Sequence, residues 1–159
     1  MSTAHAIDPT QSANELNAAL TKLETALLTP IVSGELESWA RSVQEATNML
    51  SERLPTYLKA VLHPEYAEIA RADPELLSRV EHLVAEDHNL VLEQDAYRTR
   101  INDFVKRASH LKKDEAQGAA ERNKTEQEGL DLILRIKRQR TVADTWLAEA
   151  NYRDRGPVD

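Results

Sequence analysis

The stretch DPELLSRVEHLVAEDHNLVLE, residues 73–93, indicates the helical class of this chain. Asp73 is a suitable N-cap, because its carboxylate can accept hydrogen bonds from the free amides of a first helical turn. Pro74 follows at the position where a missing N–H costs nothing. Apolar residues then recur at steps of three and four, as on a helix face that packs against a core: Leu76, Leu77, Val80, Leu83, Val84, Leu90 and Val91.

Two polar residues interrupt this apolar stripe. Asp87 breaks it first, and Gln94 breaks it again one heptad later. Polar residues on such a seam need hydrogen-bond partners or water. A partly solvated position at the rim of the core is the commoner explanation for both residues, and a role in metal binding is the alternative.

Composition places the chain among folded all-α proteins. It has 159 residues, of which 41% are hydrophobic and 30% charged, with only 4 glycines and no strand-like runs. The net charge of −7 argues against general affinity for nucleic acid or an anionic membrane. The absence of cysteine excludes disulfides and thiolate chemistry. No apolar run approaches the roughly 20 residues of a membrane span, and residues 1–11 show no secretory signal, so we expect a cytoplasmic protein.

The first half of the chain predicts two helices. Asp8 and Pro9 repeat the cap-then-proline start, with Gln11 placed to complete a capping box, and this helix ends at residues 29–30. The second helix begins near residue 35 and extends to residue 71. Its apolar rhythm passes through Pro55, which predicts a kink, whereas Pro64 is the expected place of a break or second kink.

The second half predicts two longer helices. The third runs from Pro74 to Leu111, a length of roughly 50 Å at about 1.5 Å per residue. The fourth runs from Glu115 to Asn151, and its polar first half, residues 119–129, is expected to fray or to project past the bundle.

Four amphipathic segments with short connections predict an antiparallel up-down four-helix bundle with long third and fourth helices. We expect one domain, residues 8–155, between a flexible N-terminal tail, residues 1–7, and a short C-terminal tail, residues 156–159. A long coiled-coil hairpin of the third and fourth helices, with the first two packed at one end, is the alternative architecture.

Histidine and carboxylate positions give one candidate metal site. His63 and Glu68 near the end of the second helix can approach Glu86 and His88 on the third, and these four residues are the predicted ligands. The alternative is that they are surface residues of an acidic helical protein. No phosphate-binding glycine loop or serine nucleophile motif is present, so no sequence feature requires an enzyme.

Three passages resemble the hemerythrin-like superfamily, also called HHE cation-binding domains. LNAALTKLETAL (16–27) is similar to the first helix of those proteins, and residues 63–91 resemble the segment that joins their second and third helices. Residues 146–159, WLAEANYRDRGPVD, resemble the tail that closes some bacterial members. The resemblance implies a four-helix bundle with a site for two irons, formed by histidines and carboxylates from each helix.

Most of the ligands that this resemblance implies are missing from the first and fourth helices. The first helix has no histidine near residues 13–17. In the fourth helix, the expected histidine and glutamate appear as Gln139 or Arg140 and as Ala143.

The second and third helices retain a few candidates. His63 with Glu65 or Glu68 stands in the second helix, and His88 stands where the third helix of the family has a histidine. We therefore expect a bundle with a degenerate or absent di-iron site that acts by binding rather than by catalysis. We expect no bound cofactor. If the chain does bind one, the resemblance implies iron. The alternatives are an atypical His/Glu metal site and a signalling or scaffold module that presents a helix face to a protein partner or to a second copy of the chain.

Overall fold

The computed structural model describes residues 8–32, 34–111 and 113–154. Within these ranges the chain forms four helical segments and no strand, so the predicted all-α four-helix bundle with long third and fourth helices is confirmed. The elements are α1 (Pro9–Leu28), α2 (Leu36–Tyr57), a π turn (Leu58–Leu62), α3 (His63–Ala72), a 3-10 turn (Pro74–Leu76), α4 (Leu77–Leu111) and α5 (Glu115–Asp154). The predicted tails, residues 1–7 and 156–159, lie outside the described residues.

Aspartate side chains begin the helices as the sequence predicts. Asp8 Oδ1 accepts a hydrogen bond from the N–H of Thr10 at 2.9 Å. The predicted capping box is wrong, because the Gln11 amide donates to Glu15 one turn further along instead of turning back to the cap. Asp73 and Asp114 act in the same way as Asp8, on the N–H groups of Glu75 and Gln117.

The segment from α2 to α3 remains helical through both prolines. The expected break at Pro64 is absent, and a π turn at Leu58–Leu62 lies between Pro55 and Pro64. In this turn the N–H of His63 donates to the carbonyl of Leu58, five residues earlier. The residue four positions before Pro64, whose carbonyl the proline ring would meet in a regular helix, lies inside this π turn. The helix ends only at Asp73, which has an extended backbone.

Helix α5 lies against α4 from its first turns. Arg107 on α4 pairs with Glu121 on α5 at 2.9 Å, and Arg100 pairs with Glu128 at 3.1 Å. Residue numbers rise along one helix as they fall along the other, which is the order of contacts between helices that run in opposite directions. The expectation that residues 119–129 fray or project past the bundle is wrong, because the segment is helical and contacts α4 through these pairs and through the Thr125 carbonyl, which accepts a hydrogen bond from Tyr97.

The core is a leucine-rich seam shared by all four helical segments. On α1 the buried residues have the predicted steps of three and four, and they are at most 3% exposed: Leu16, Leu20, Leu23 and Leu27. The most deeply buried aromatic side chains, Tyr57, Tyr66 and Tyr97, come from α2, α3 and α4. No helix in the described part of the chain is both long and apolar enough to cross a membrane.

Candidate functional site

Asp87 of α4 is the centre of a buried polar cluster. Its side chain is buried, and Oδ1 accepts hydrogen bonds from the Tyr66 hydroxyl at 3.0 Å and from Nε2 of Gln139 at 2.9 Å. Gln139 also donates to the carbonyl of Leu83 at 2.8 Å. The cluster therefore joins α3, α4 and α5 through side chains that are far apart in the sequence.

The second oxygen of Asp87 is less well satisfied. Oδ2 is buried and has no hydrogen-bond partner, and the imidazole Nε2 of His63 lies 3.8 Å away. Burial raises the pKa of Asp87, while the hydrogen bonds from Gln139 and Tyr66 lower it. Burial and the Asp87 charge both raise the pKa of the Tyr66 hydroxyl, so this group stays protonated and acts as a donor.

The interpretation of Asp87 and Gln94 as rim residues is wrong. They are 2% and 3% exposed, respectively. Gln94 satisfies its amide within the bundle by donating to the carbonyl of Thr47 at 3.4 Å and to the hydroxyl of Ser51 on α2. The seam of α4 thus carries two buried polar layers, one heptad apart.

A pair of carboxyl groups lies next to the Asp87 cluster. Glu65 on α3 faces Asp144 on α5, close enough for the Asp144 carboxyl to act on the pKa of Glu65. Burial and the neighbouring Asp144 carboxyl together raise the pKa of Glu65 to about 7, while Arg140 acts in the opposite direction. Glu65 Oε2 is buried without a hydrogen-bond partner. The Glu65 carboxyl therefore changes its protonation state near neutral pH.

Both predicted glutamate ligands form ion pairs with arginines. Glu68 is bound by Arg71, one turn along α3, and Nε of that arginine lies 3.0 Å from Oε2. Glu86 pairs with Arg135 across the α4–α5 interface. A carboxylate in such a pair is already bound to a guanidinium group, so it is less available as a metal ligand.

The two predicted histidine ligands differ in their surroundings. His63 begins α3, is half-exposed and points Nε2 towards Asp87, whereas His88 is exposed on α4. No hydrogen bond or ion pair seen among the described residues joins two of His63, Glu68, Glu86 and His88. Across residues 8–32, 34–111 and 113–154, no group of three or more histidine, aspartate or glutamate side chains is arranged to hold a metal ion.

Sequence reasoning missed the roles of Tyr66 and Gln139. A signal for Gln139 does exist, because it occupies a core position of α5 between Ile136 and Ala143, at steps of three and four. A polar residue at such a position needs a partner on a facing helix. No comparable signal marks Tyr66, whose hydroxyl partner lies 21 positions further along the chain.

The chemistry of this site is that of a proton-holding, hydrogen-bonded core. Donors from Tyr66 and Gln139 stabilise a buried carboxylate, which is the role that a bound cation would otherwise take. The di-iron ligand set that the resemblance implies does not fit here, because Gln139, at a position of the implied histidine, uses its amide N–H on Asp87 Oδ1.

Comparison with known proteins returns no relative: no family model, curated protein or solved structure matches the chain. The resemblance to hemerythrin-like bundles therefore stays a prediction.

Proposed function

We propose that the chain is a hemerythrin-like helical bundle that has lost di-iron chemistry and acts in the cytoplasm by binding rather than by catalysis. The observation that supports this proposal is the hydrogen bond from Gln139 Nε2 to Asp87 Oδ1 at 2.9 Å. In the position where the resemblance implies a ligand from α5, the chain has an uncharged amide that donates a hydrogen bond to the Asp87 carboxylate.

Elemental analysis of the purified, untagged protein after expression in iron-supplemented medium tests this proposal. We expect far less than one metal per chain, measured by inductively coupled plasma mass spectrometry, in a protein that is helical by circular dichroism. A content near two irons per chain, lost when Asp87 is replaced by asparagine, would contradict the proposal.

The second candidate is an atypical site for a single metal. It is supported by the unpartnered Oδ2 of Asp87, which faces His63 Nε2 at 3.8 Å. This candidate predicts one metal per chain that is lost in a His63→Ala variant. The same metal content in His63→Ala and in the wild type would rule out this candidate. His88→Ala, on the exposed side of α4, is the second variant: it should lose the metal if the four predicted residues bind it, and keep the metal if the site is centred on Asp87.

The third candidate is a scaffold that binds a protein partner or a second copy of the chain through α4. Leu77, Val84 and Leu92 are between 45% and 56% exposed and lie at steps of seven and eight, on one side of the helix. These three residues expose apolar area that a partner would bury. Light scattering of wild type and Val84→Lys tests self-association, and a monomer in both proteins would contradict a homodimer.

A further inference from the structure

A pocket of about 410 Å³ lies at the end of the bundle where the α1–α2 loop approaches the α4–α5 turn. Its volume falls within the range of small-molecule sites, roughly 300–1,000 Å³. The described lining residues are Ile31, Val32, Gly34, Leu36, Leu111, Glu115, Gly118, Ala119 and Arg122. The pocket is roughly 36 Å along α4 from Asp87, at about 1.5 Å per residue, so it is separate from the polar cluster.

The wall of this pocket is mainly apolar and open to solvent. Ile31, Leu36 and Leu111 pack on the core from the pocket side, while Val32 is 65% exposed. Exposed apolar surface of this kind gains free energy when an apolar body covers it. The lining therefore suits a ligand with a hydrocarbon portion.

Arg122 supplies the single cation among the described lining residues. Its guanidinium carbon lies 5.5 Å from the centre of the Trp39 ring, which orients the group by a cation–π contact. The contacts of Nη2 are long, 3.4 Å to the carbonyl of Thr29 and 3.9 Å to Glu126, and Nε is buried without a partner.

This loose attachment distinguishes Arg122 from Arg107 on α4. Arg107 donates at 2.9 Å to both Asp103 and Glu121, so its hydrogen-bonding capacity is used. Turning the Arg122 guanidinium towards a new carboxylate breaks only weak contacts, and a planar carboxylate can accept two of its N–H groups.

Two acidic residues lie on α5 on either side of Arg122: Glu126 is 3.9 Å from Nη2, and Glu115 belongs to the pocket lining. Glu115 is exposed at the start of α5 and lies about 10 Å from Arg122 along the helix axis. Because Glu115 and Arg122 are seven residues apart on one helix, they lie at opposite ends of the pocket lining. A negatively charged ligand group is therefore favoured at Arg122, with the apolar body next to Leu36, Leu111 and Ala119.

We propose that this pocket binds a small carboxylic acid with an apolar body, of the class of medium-chain fatty acids, through an ion pair with Arg122. This inference goes beyond the function proposed above and does not depend on the metal content of the polar cluster.

Nuclear magnetic resonance titration of the ¹⁵N-labelled protein with octanoate tests the inference, with 1-octanol as the uncharged probe of equal chain length. We expect saturable shifts at the amides of residues 111–122, and about tenfold weaker binding of 1-octanol. Arg122→Met keeps the apolar stem and removes the charge, so it should weaken octanoate binding about tenfold while leaving 1-octanol binding unchanged.

Two further variants separate binding from folding. Ala119→Leu places a larger side chain at an exposed pocket position and should reduce the affinity for both probes. Arg138→Met removes an exposed arginine elsewhere on α5 and should leave octanoate binding unchanged. The inference is overturned by an absence of saturable shifts, by equal affinity for octanoate and 1-octanol, or by unchanged binding in Ala119→Leu.

Discussion

Nε2 of Gln139 on α5 lies 2.9 Å from Oδ1 of Asp87 on α4, and both side chains are buried. The second hydrogen of the same amide has an acceptor at 2.8 Å, the carbonyl of Leu83. Since both contacts are acceptors, the amide nitrogen, and not the amide oxygen, must face them. The orientation of Gln139 is therefore fixed by α4, and the Asp87 carboxylate receives a donor from the facing helix.

The first prediction concerns this donor. Gln139→Glu keeps the size of the side chain but replaces a donor with an acceptor that faces Asp87 Oδ1 and the carbonyl of Leu83. We expect a loss of about 2–4 kcal/mol in the free energy of unfolding at pH 7, because two buried acceptors lose their partner and two carboxylates repel. Urea unfolding measures this change, and the loss should shrink at pH 5, where a protonated glutamate can donate again.

Gln127→Glu is the matched control for this prediction. Gln127 is exposed on the same helix, so the substitution should change the free energy of unfolding by less than about 0.5 kcal/mol. Equal effects at residues 127 and 139 would show that the Asp87 contact does not stabilise the core.

The helical architecture could be predicted from the sequence because its signals are local. Asp73 and Pro74 are neighbours in the chain, and the leucines of α1 recur within one helical segment. The continuation of α2 through Pro55 could be predicted from its apolar rhythm, whereas the π turn that follows could not. A π turn at Leu58–Leu62 depends on backbone bonds over five residues, and it carries no periodic mark in the sequence.

The polar cluster could be predicted only in part, since its contacts connect distant positions. Periodicity marked Asp87 as a break in the α4 stripe, which is correct. Whether such a residue faces water or the core depends on its partners, and Tyr66 and Gln139 lie 21 and 52 positions away. Spacing along the chain also placed His63 beside Glu86 and His88, whereas the structure places it beside Asp87, since only one side of α4 faces α3.

The second prediction concerns the pH dependence of stability at Glu65. The pKa of this carboxyl is about 7 in the folded protein, against an ordinary value of 4.5, so the folded state holds the proton more tightly than the unfolded chain. The stability contributed by the protonated Glu65 carboxyl is fully present below pH 4.5. It is lost as the pH rises through 7, because the folded state then has to release this proton. Glu65→Gln cannot ionise, so the variant should gain stability over the wild type between pH 5 and pH 8, on the order of 1 kcal/mol.

Thermal unfolding of wild type and Glu65→Gln at several pH values measures this difference. Asp144→Asn should lower the midpoint of the pH dependence, because the Asp144 carboxyl is one of the groups that raise the pKa of Glu65. Glu81→Gln, at an exposed position of α4, serves as the control and should follow the wild-type profile. Parallel profiles for wild type and Glu65→Gln would contradict the assignment of the titrating group.

The third prediction concerns the close approach of α1, α4 and α5 at Gly129. A Cβ atom at this position would lie 2.5 Å from Cδ1 of Leu27 and 2.6 Å from the hydroxyl oxygen of Tyr97. Both neighbours are at most 1% exposed, and the Tyr97 hydroxyl is held by its hydrogen bond to the carbonyl of Thr125 at 2.9 Å. Neither side chain can therefore move away without disturbing the core.

Two opposing effects decide the result of Gly129→Ala. Alanine favours the helix by about 1 kcal/mol, whereas overpacking a closed core costs about 1–3 kcal/mol and here also strains the Tyr97 hydrogen bond. We expect a net loss of about 1–2 kcal/mol in the free energy of unfolding, measured with urea. Gly118→Ala is the matched control, because its Cβ would lie 3.2 Å from Leu36, which is only partly buried and can shift, so helix propensity should make that variant neutral or more stable. A stabilised Gly129→Ala protein would mean that α1 and α5 are not packed as closely as these distances require.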